Sequence, residues 1–294
     1  MRILVGYAAG GGVDTTARMV GQALSELWGS PVVIENRPGA AGNLATELTA
    51  KAPADGYTLV LCNMGSHAVT PARFAGKLTY DPIRDFAFLS EIGGVPNLFM
   101  VHPSLPIRTL KQYIAYAKAN PGKLNYGSSG VGASPHLSIE LLKVMTGIDI
   151  VHVPYKGAAP ALSDTLGGQI ESSVGNLAGA PIAAAKSGRV RALGVTSAQR
   201  NKQLPDVPTF AEAGVPGYDV TGWYGLCIQS KVPQSVLAKL NADLHKVLAG
   251  PLKPRLEEQG IDVAPGTPEQ FAAHVTAEIE KWTKVVKAAK LEGE

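Results

Sequence analysis

Short apolar runs alternate with helix-length amphipathic stretches along almost the whole chain, and this alternation restricts the fold more than any other feature. Residues 2–7 read as a strand, a glycine-rich turn occupies 8–12, and a helix is expected at 14–28. A strand at 31–35, a helix at 42–51 and a strand at 57–62 follow. This βαβαβ order predicts a mostly parallel sheet with helices on its faces. Further strands are expected at 86–89 and 98–101, and a second α/β series runs from 124 to 195. A short helix at 210–213 and an apolar strand at 222–229 precede three helices, at 234–248, 251–259 and 268–289.

Those last helices have no sheet of their own and must cover one built earlier. The expected fold class is therefore α/β, with two lobes joined by two crossings, near 98–103 and 220–226. Residues 1–98 and 226–294 would form a discontinuous lobe I, and 99–225 lobe II with the crossings. Paired crossings leave a cleft that closes by hinge motion.

The composition fits this picture. Among 294 residues, 45% are apolar and 17% charged, with 33 Gly and 21 Pro, as in a turn-rich, packed domain. The net charge of +3 comes from scattered Lys and Arg with no basic run interleaved with aromatics, which argues against nucleic acid as a partner. No stretch approaches the roughly 18 apolar residues of a membrane span. Cys62 and Cys227 each lie in an apolar run, so buried thiols are expected in preference to a disulfide, and the missing CxxC pattern argues against structural zinc. Met1-Arg2 leads at once into a strand. That start fits either a cytoplasmic protein or one whose leader is missing from this sequence.

Gly10, Gly11 and Gly12 follow a strand and open a helix. In a parallel sheet such a turn faces the ligand crevice. Its amides can approach a ligand closely, and the positive helix end favours an anion. A dinucleotide fingerprint or a P-loop would need residues that Thr15, Thr16 and Ala17 replace. Asp14 is read either as an N-cap or first-turn residue or as a ligand contact. A second turn repeats the pattern at 127–136, where Ser128 and Ser129 add hydroxyls, Ser134 is expected as N-cap and Pro135 as first helical residue. His136 and Glu140 share a helix face but lack a third metal ligand, so no metal is expected. His136 is read either as touching ligand or water or as a structural histidine. No Gly-x-Ser-x-Gly occurs, and no spacing links a serine to a base and an acid, so no catalytic residue is assigned. An α/β enzyme binding a phosphorylated or nucleotide ligand at the glycine loop is the alternative.

Several ordered segments carry a resemblance. They include Tyr7-Ala8-Ala9-Gly10-Gly11-Gly12-Val13-Asp14, Val33-Ile34-Glu35-Asn36-Arg37-Pro38-Gly39, Pro53-Ala54-Asp55-Gly56-Tyr57, Val153-Pro154-Tyr155-Lys156-Gly157, Leu204-Pro205-Asp206-Val207-Pro208-Thr209 and Gly222-Trp223-Tyr224-Gly225. With them the chain resembles the substrate-binding proteins of tripartite tricarboxylate transporters, the Bug receptors, over nearly its whole length. The resemblance implies a periplasmic binding protein of type II, monomeric and without cofactor, made with a signal peptide that this sequence does not carry. It implies a small carboxylate ligand (a dicarboxylate, tricarboxylate, amino acid or aromatic acid) for uptake or sensing, and a membrane transporter or sensor as partner. The ligand would be held by the turns at Tyr7, Ala9, Gly10, Gly11, Gly12 and Asp14, and at Ser128, Ser129, Ala133, Ser134 and His136. Asn63, Ser66 and Asn176 would add polar contacts. Ala9 departs from a proline common in the family, and Gly175-Asn176 also differs from its usual residues.

Overall fold

The chain opens with β1 (Arg2–Val5), α1 (Gly12–Trp28), β2 (Val33–Asn36), α2 (Asn43–Ala50) and β3 (Thr58–Asn63), the βαβαβ unit expected from the apolar pattern. The computed structural model describes residues 1–289 and 291–293. In α1 the buried Val13, Ala17, Val20 and Leu24 recur at three- and four-residue spacing, which turns one face to the sheet. The helix stops at Gly29, whose φ of 61° is left-handed and whose N–H returns to Ser25. A π-helical turn, Gly65–Val69, then leads into α3 (Thr70–Arg73).

β4 (Phe86–Val101) is one strand of 16 residues where two were expected. The second series comprises α4 (Leu110–Ala119), β5 (Asn125–Ser128), α5 (Ser134–Thr146), β6 (Val151–Pro154), α6 (Ala158–Leu166), β7 (Ser172–Asn176), α7 (Gly179–Lys186) and β8 (Arg191–Val195). The expected helix at 210–213 is a hydrogen-bonded turn instead. Gly214, with φ of 109°, and Pro216 stop it from propagating. β9 (Thr221–Gln229), α8 (Gln234–Ala249), α9 (Leu252–Glu258), β10 (Asp262–Val263) and α10 (Pro268–Ala289) complete the chain.

The strands form one sheet in the order β2-β1-β3-β9-β4-β7-β5-β6, with β10 and β8 attached to β4. It is mixed, not mostly parallel. The pairs β1/β2, β1/β3, β5/β6 and β5/β7 are parallel, whereas β9 runs against β3 and β4, and β4 runs against β7 and β8. Helical crossovers make neighbouring strands parallel. β4 and β9 instead pass directly between the two halves and oppose their neighbours. Along β4, Phe86–Pro96 pairs with β9, while Asn97–Val101 pairs with β7.

The C-terminal helix closes the first half. Phe271, Val275, Trp282 and Val286 of α10 share one core cluster with Phe86 and Phe88 of β4. Burying each such large side chain contributes about 1.5–3 kcal/mol. The indoles of Trp223 and Trp282 both donate to buried Glu278 Oε2, at 3.3 and 3.0 Å. Cys62 and Cys227 form a disulfide, contrary to the expectation of free thiols. Their 165-residue separation left no local signal, but Leu61 pairs with Leu226 across β3 and β9, which sets the two Cα atoms 6.1 Å apart on a diagonal.

Candidate functional site

Strand ends and helix starts from both halves converge on a small cavity of about 10 Å³. Tyr7 comes from the turn after β1, Asn63 and Met64 from the end of β3, Ser129 from the turn after β5, and Asn176 from the end of β7. Val13 in the first turn of α1 and Ser134 and Pro135 in the first turn of α5 face the same space, and Trp223 and Tyr224 of β9 close it. This is the crevice at the carboxyl ends of strands where open α/β sheets place ligands. Every lining side chain is uncharged. That volume is far below the usual range for a ligand pocket. Ala8 N–H donates to Lys156 C=O at 2.9 Å and ties the two halves by their main chains.

Tyr7 is buried, and its hydroxyl donates to Ala41 C=O at 2.6 Å and Asn63 Oδ1 at 3.2 Å. Burial holds this phenol far above its ordinary pKa, so it stays a donor. Asn63 Oδ1 also accepts from Ser66 N–H at 3.2 Å. The first glycine turn packs against the start of α6: a Cβ on Gly10 would sit 3.7 Å from Ala159, and one on Gly11 3.7 Å from the Ala158 nitrogen. Ala9 is exposed in this turn. A Cβ on Gly12 would meet Ala178, Tyr224 and Asn176 at 3.1–3.4 Å, which makes Gly12 the closest approach of this turn to the cavity.

Asp14 is 3% exposed and turned back on its own loop. It accepts from Gly10 N–H at 2.9 Å, Arg18 Nε at 2.9 Å and Asn36 Nδ2 at 2.8 Å. Burial alone would raise its pKa, but these donors outweigh it and hold the carboxyl below the ordinary range. Asp14 thus fixes the turn's shape.

In the second turn, Ser128 Oγ lies 2.7 Å from His152 Nε2 and accepts from Gly130 N–H at 3.2 Å. α5 starts one residue earlier than expected. Ala133 is its N-cap, and Ser134 is already helical. The Ser134 hydroxyl instead donates to Asn97 Oδ1 at 3.2 Å, and Asn176 Nδ2 donates to the same oxygen at 3.0 Å. His136 Nδ1 accepts from Gly132 N–H at 3.1 Å, and its ring lies 4.2 Å from that of His152. Burial lowers the pKa of both histidines to about 3, so both are neutral props beneath the loop.

The structure therefore gathers Tyr7, Asn63, Ser129, Ala133, Ser134 and Asn176 around one cavity, while Ser66, Ser128 and His136 brace the loops behind them. Sequence reasoning missed Val13, Met64, Pro135, Trp223 and Tyr224 as lining residues, and Asn97 beneath it. The Gly222-Trp223-Tyr224-Gly225 segment was the available signal, because two small residues flanking two aromatics on a crossing strand mark a tight interlobe contact. The Tyr224 hydroxyl is buried without a hydrogen-bond partner and is 3.2 Å from where a Gly12 Cβ would stand.

Two α/β lobes, two crossing strands and an enclosed, neutral, polar-and-apolar cavity at the junction define a solute-binding protein fold. The profile of the tripartite tricarboxylate transporter family receptor matches residues 16–291, and the chain belongs to that family. It is 37% identical over 96% of its length to a protein from Pseudomonas sp. (strain P51) in the tcbD-tcbE intergenic region, covering 84% of that relative. A Rhodopseudomonas palustris protein solved with adipate superposes with a TM-score of 0.93 at 38% identity, over 99% of this chain and 97% of that one. MatC from Rhodopseudomonas palustris with bound malate gives 0.90 at 31% identity, over 97% and 98%. Among the described residues, no helix is long and apolar enough to cross a membrane.

Proposed function

We infer that the protein is an extracytoplasmic receptor that closes its lobes on a small organic carboxylate, catalyses no reaction, and hands the ligand to a membrane transporter of the tripartite type. The observation that carries this reading is the junction of two helix starts, α1 at Val13 and α5 at Ser134, on a cavity with no charged side chain. Helix ends and neutral donors stabilise a carboxylate without a buried counter-charge. The relatives solved with adipate and malate support the same chemistry. Nothing in the family or the geometry supports the phosphate- or nucleotide-binding enzyme.

The same neutrality limits the ligand's charge. Enclosing several anionic groups without a cation is costly. The preferred ligand carries one carboxylate at the helix starts and an uncharged or solvent-reaching remainder along Val13, Met64, Ala133, Pro135 and Trp223. Tyr7, Asn63, Ser129, Ser134 and Asn176 supply its polar contacts, and the amides of Gly10, Gly11 and Gly12 shape the turn that closes over it. Residues 1–98 with 226–294 move as one lobe against 99–225.

A thermal-shift and calorimetry panel of malate, adipate, hexanoate, citrate and ATP tests the reading. A ligand at one hundred times its dissociation constant adds about 2.7 kcal/mol of stability. The mono- and dicarboxylates should raise the midpoint more than citrate. Stabilisation by ATP with no response to any acid would overturn the assignment.

A further inference from the structure

The disulfide has a third neighbour. His67, in the π-helical turn after β3, is wholly buried, and its Nε2 has no hydrogen-bond partner. Its Nδ1 lies 2.8 Å from Ser66 Oγ. The ring sits edge-on to Phe86 and Phe88, at centroid distances of 5.0 and 6.3 Å. A His67 ring nitrogen and the sulfurs of Cys62 and Cys227 all lie within 4.8 Å of one another, the one such cluster of potential cation ligands among the described residues.

We propose that, once the disulfide is reduced, Cys62, Cys227 and His67 form a buried site for a divalent d10 cation, Zn²⁺. Ser66 occupies Nδ1, which leaves Nε2 as the nitrogen that binds. Two thiolates balance the charge of a divalent ion, so the loaded site is neutral in its apolar surroundings, where a bare charge would be costly. A Cys₂His set with a fourth position for water is an established zinc arrangement. With zinc–sulfur bonds of about 2.3 Å and a zinc–nitrogen bond of about 2.0 Å, tetrahedral geometry sets the donor atoms roughly 3.5–3.8 Å apart, so the two sulfurs, once their bond is reduced, separate by side-chain rotation while the His67 nitrogen stays inside the present 4.8 Å limit.

The chemistry balances. A water-soluble phosphine delivers two electrons to the S–S bond, takes oxygen from one water molecule to become its oxide, and leaves two thiols. The cation then displaces the two thiol protons as it forms two metal–sulfur bonds. The proposal is independent of the carboxylate reading, since it concerns the far side of β3 and needs no ligand in the cleft.

The test uses the whole chain, reduced with phosphine, desalted without oxygen and titrated with Co²⁺ as a coloured stand-in for Zn²⁺. One equivalent should bind with thiolate-to-cobalt absorption in the near ultraviolet, and Zn²⁺ should bleach it. The oxidised protein and Cys62→Ser should show no band. His67→Ala, reduced in the same way, should bind at least about tenfold more weakly. Far-UV circular dichroism is followed throughout. If reduction unfolds the chain, the band and the folded spectrum should return together on adding metal. Reduced protein that stays folded without a band, metal that restores neither signal, or undiminished cobalt affinity in folded His67→Ala would each overturn the proposal.

Discussion

Ala8 and Lys156 meet across the cleft through one main-chain hydrogen bond of 2.9 Å, the donor from the turn after β1 and the acceptor from the turn before α6. A bond between backbones needs both partners in register, so this contact should break if the two halves separate. Gly12, farther along the same turn, faces Ala178, Tyr224 and Asn176. Gly12→Val should wedge the lobes apart. Affinity for the best carboxylate should fall at least about tenfold, some 1.4 kcal/mol. Small-angle scattering with ligand should show a persistently larger radius of gyration than the parent. Unchanged calorimetric affinity would show that closure does not depend on this gap.

Tyr224 carries a buried hydroxyl with no partner, and burial holds its pKa well above the ordinary value. Tyr224→Phe should leave the ligand-free protein as stable as before or more stable by up to about 1 kcal/mol, because a desolvated donor is removed. Ligand-induced stabilisation should shrink. Paired thermal melts with and without adipate separate the two effects. A ligand-free variant weaker than its parent would mean that the hydroxyl is already satisfied.

Acid should destabilise the fold well above the usual carboxylate range. His67 and His136 are buried, with pKa values near 3 in the fold against an ordinary 6.5. The unfolded chain therefore binds more protons below pH 6.5, and stability falls as pH drops until it nears the folded value. Between pH 7.5 and 5.5 each histidine should cost about 1.4 kcal/mol. Urea midpoints across that interval provide the measurement, and His136→Asn should flatten the slope. A flat pH profile in the parent would contradict the neutral assignment.

Glu278 accepts from two indoles and is 8% exposed. Glu278→Ala strands two buried N–H groups and should cost about 3 kcal/mol. Glu278→Gln, which keeps an acceptor oxygen, should cost less. Chemical denaturation reads both variants. A cost below about 1 kcal/mol for the alanine variant would mean that water replaces the carboxylate.

The repeating α/β units were legible because apolar spacing sets which faces are buried, and the Val13-Ala17-Val20-Leu24 stripe shows this directly. The direction of β4 and β9 was not, since spacing reports burial but carries no sign for pairing. β4 looked like two strands because Gly93, Gly94 and Pro96 interrupt its apolar run. Gly93 is there because a Cβ would stand 2.2 Å from Asp262 C=O of β10. Of the cavity, the turn residues Tyr7, Ser129 and Ser134 were visible through their local motifs, whereas Asn97 and Tyr224 act only through partners far away in sequence. The Cys62–Cys227 bridge escaped for the same reason.

The interrupted first lobe imposes an order on biogenesis. Strands β4 to β8 emerge as an uninterrupted stretch, while β1 and β3 must wait for β9, α8 and α10 before their faces are covered. A nascent chain halted after β8 would carry one finished half-sheet and one with bare flanks. Such an intermediate exposes apolar faces that favour aggregation, and the sulfur cross-link can seal only once residue 227 has been made.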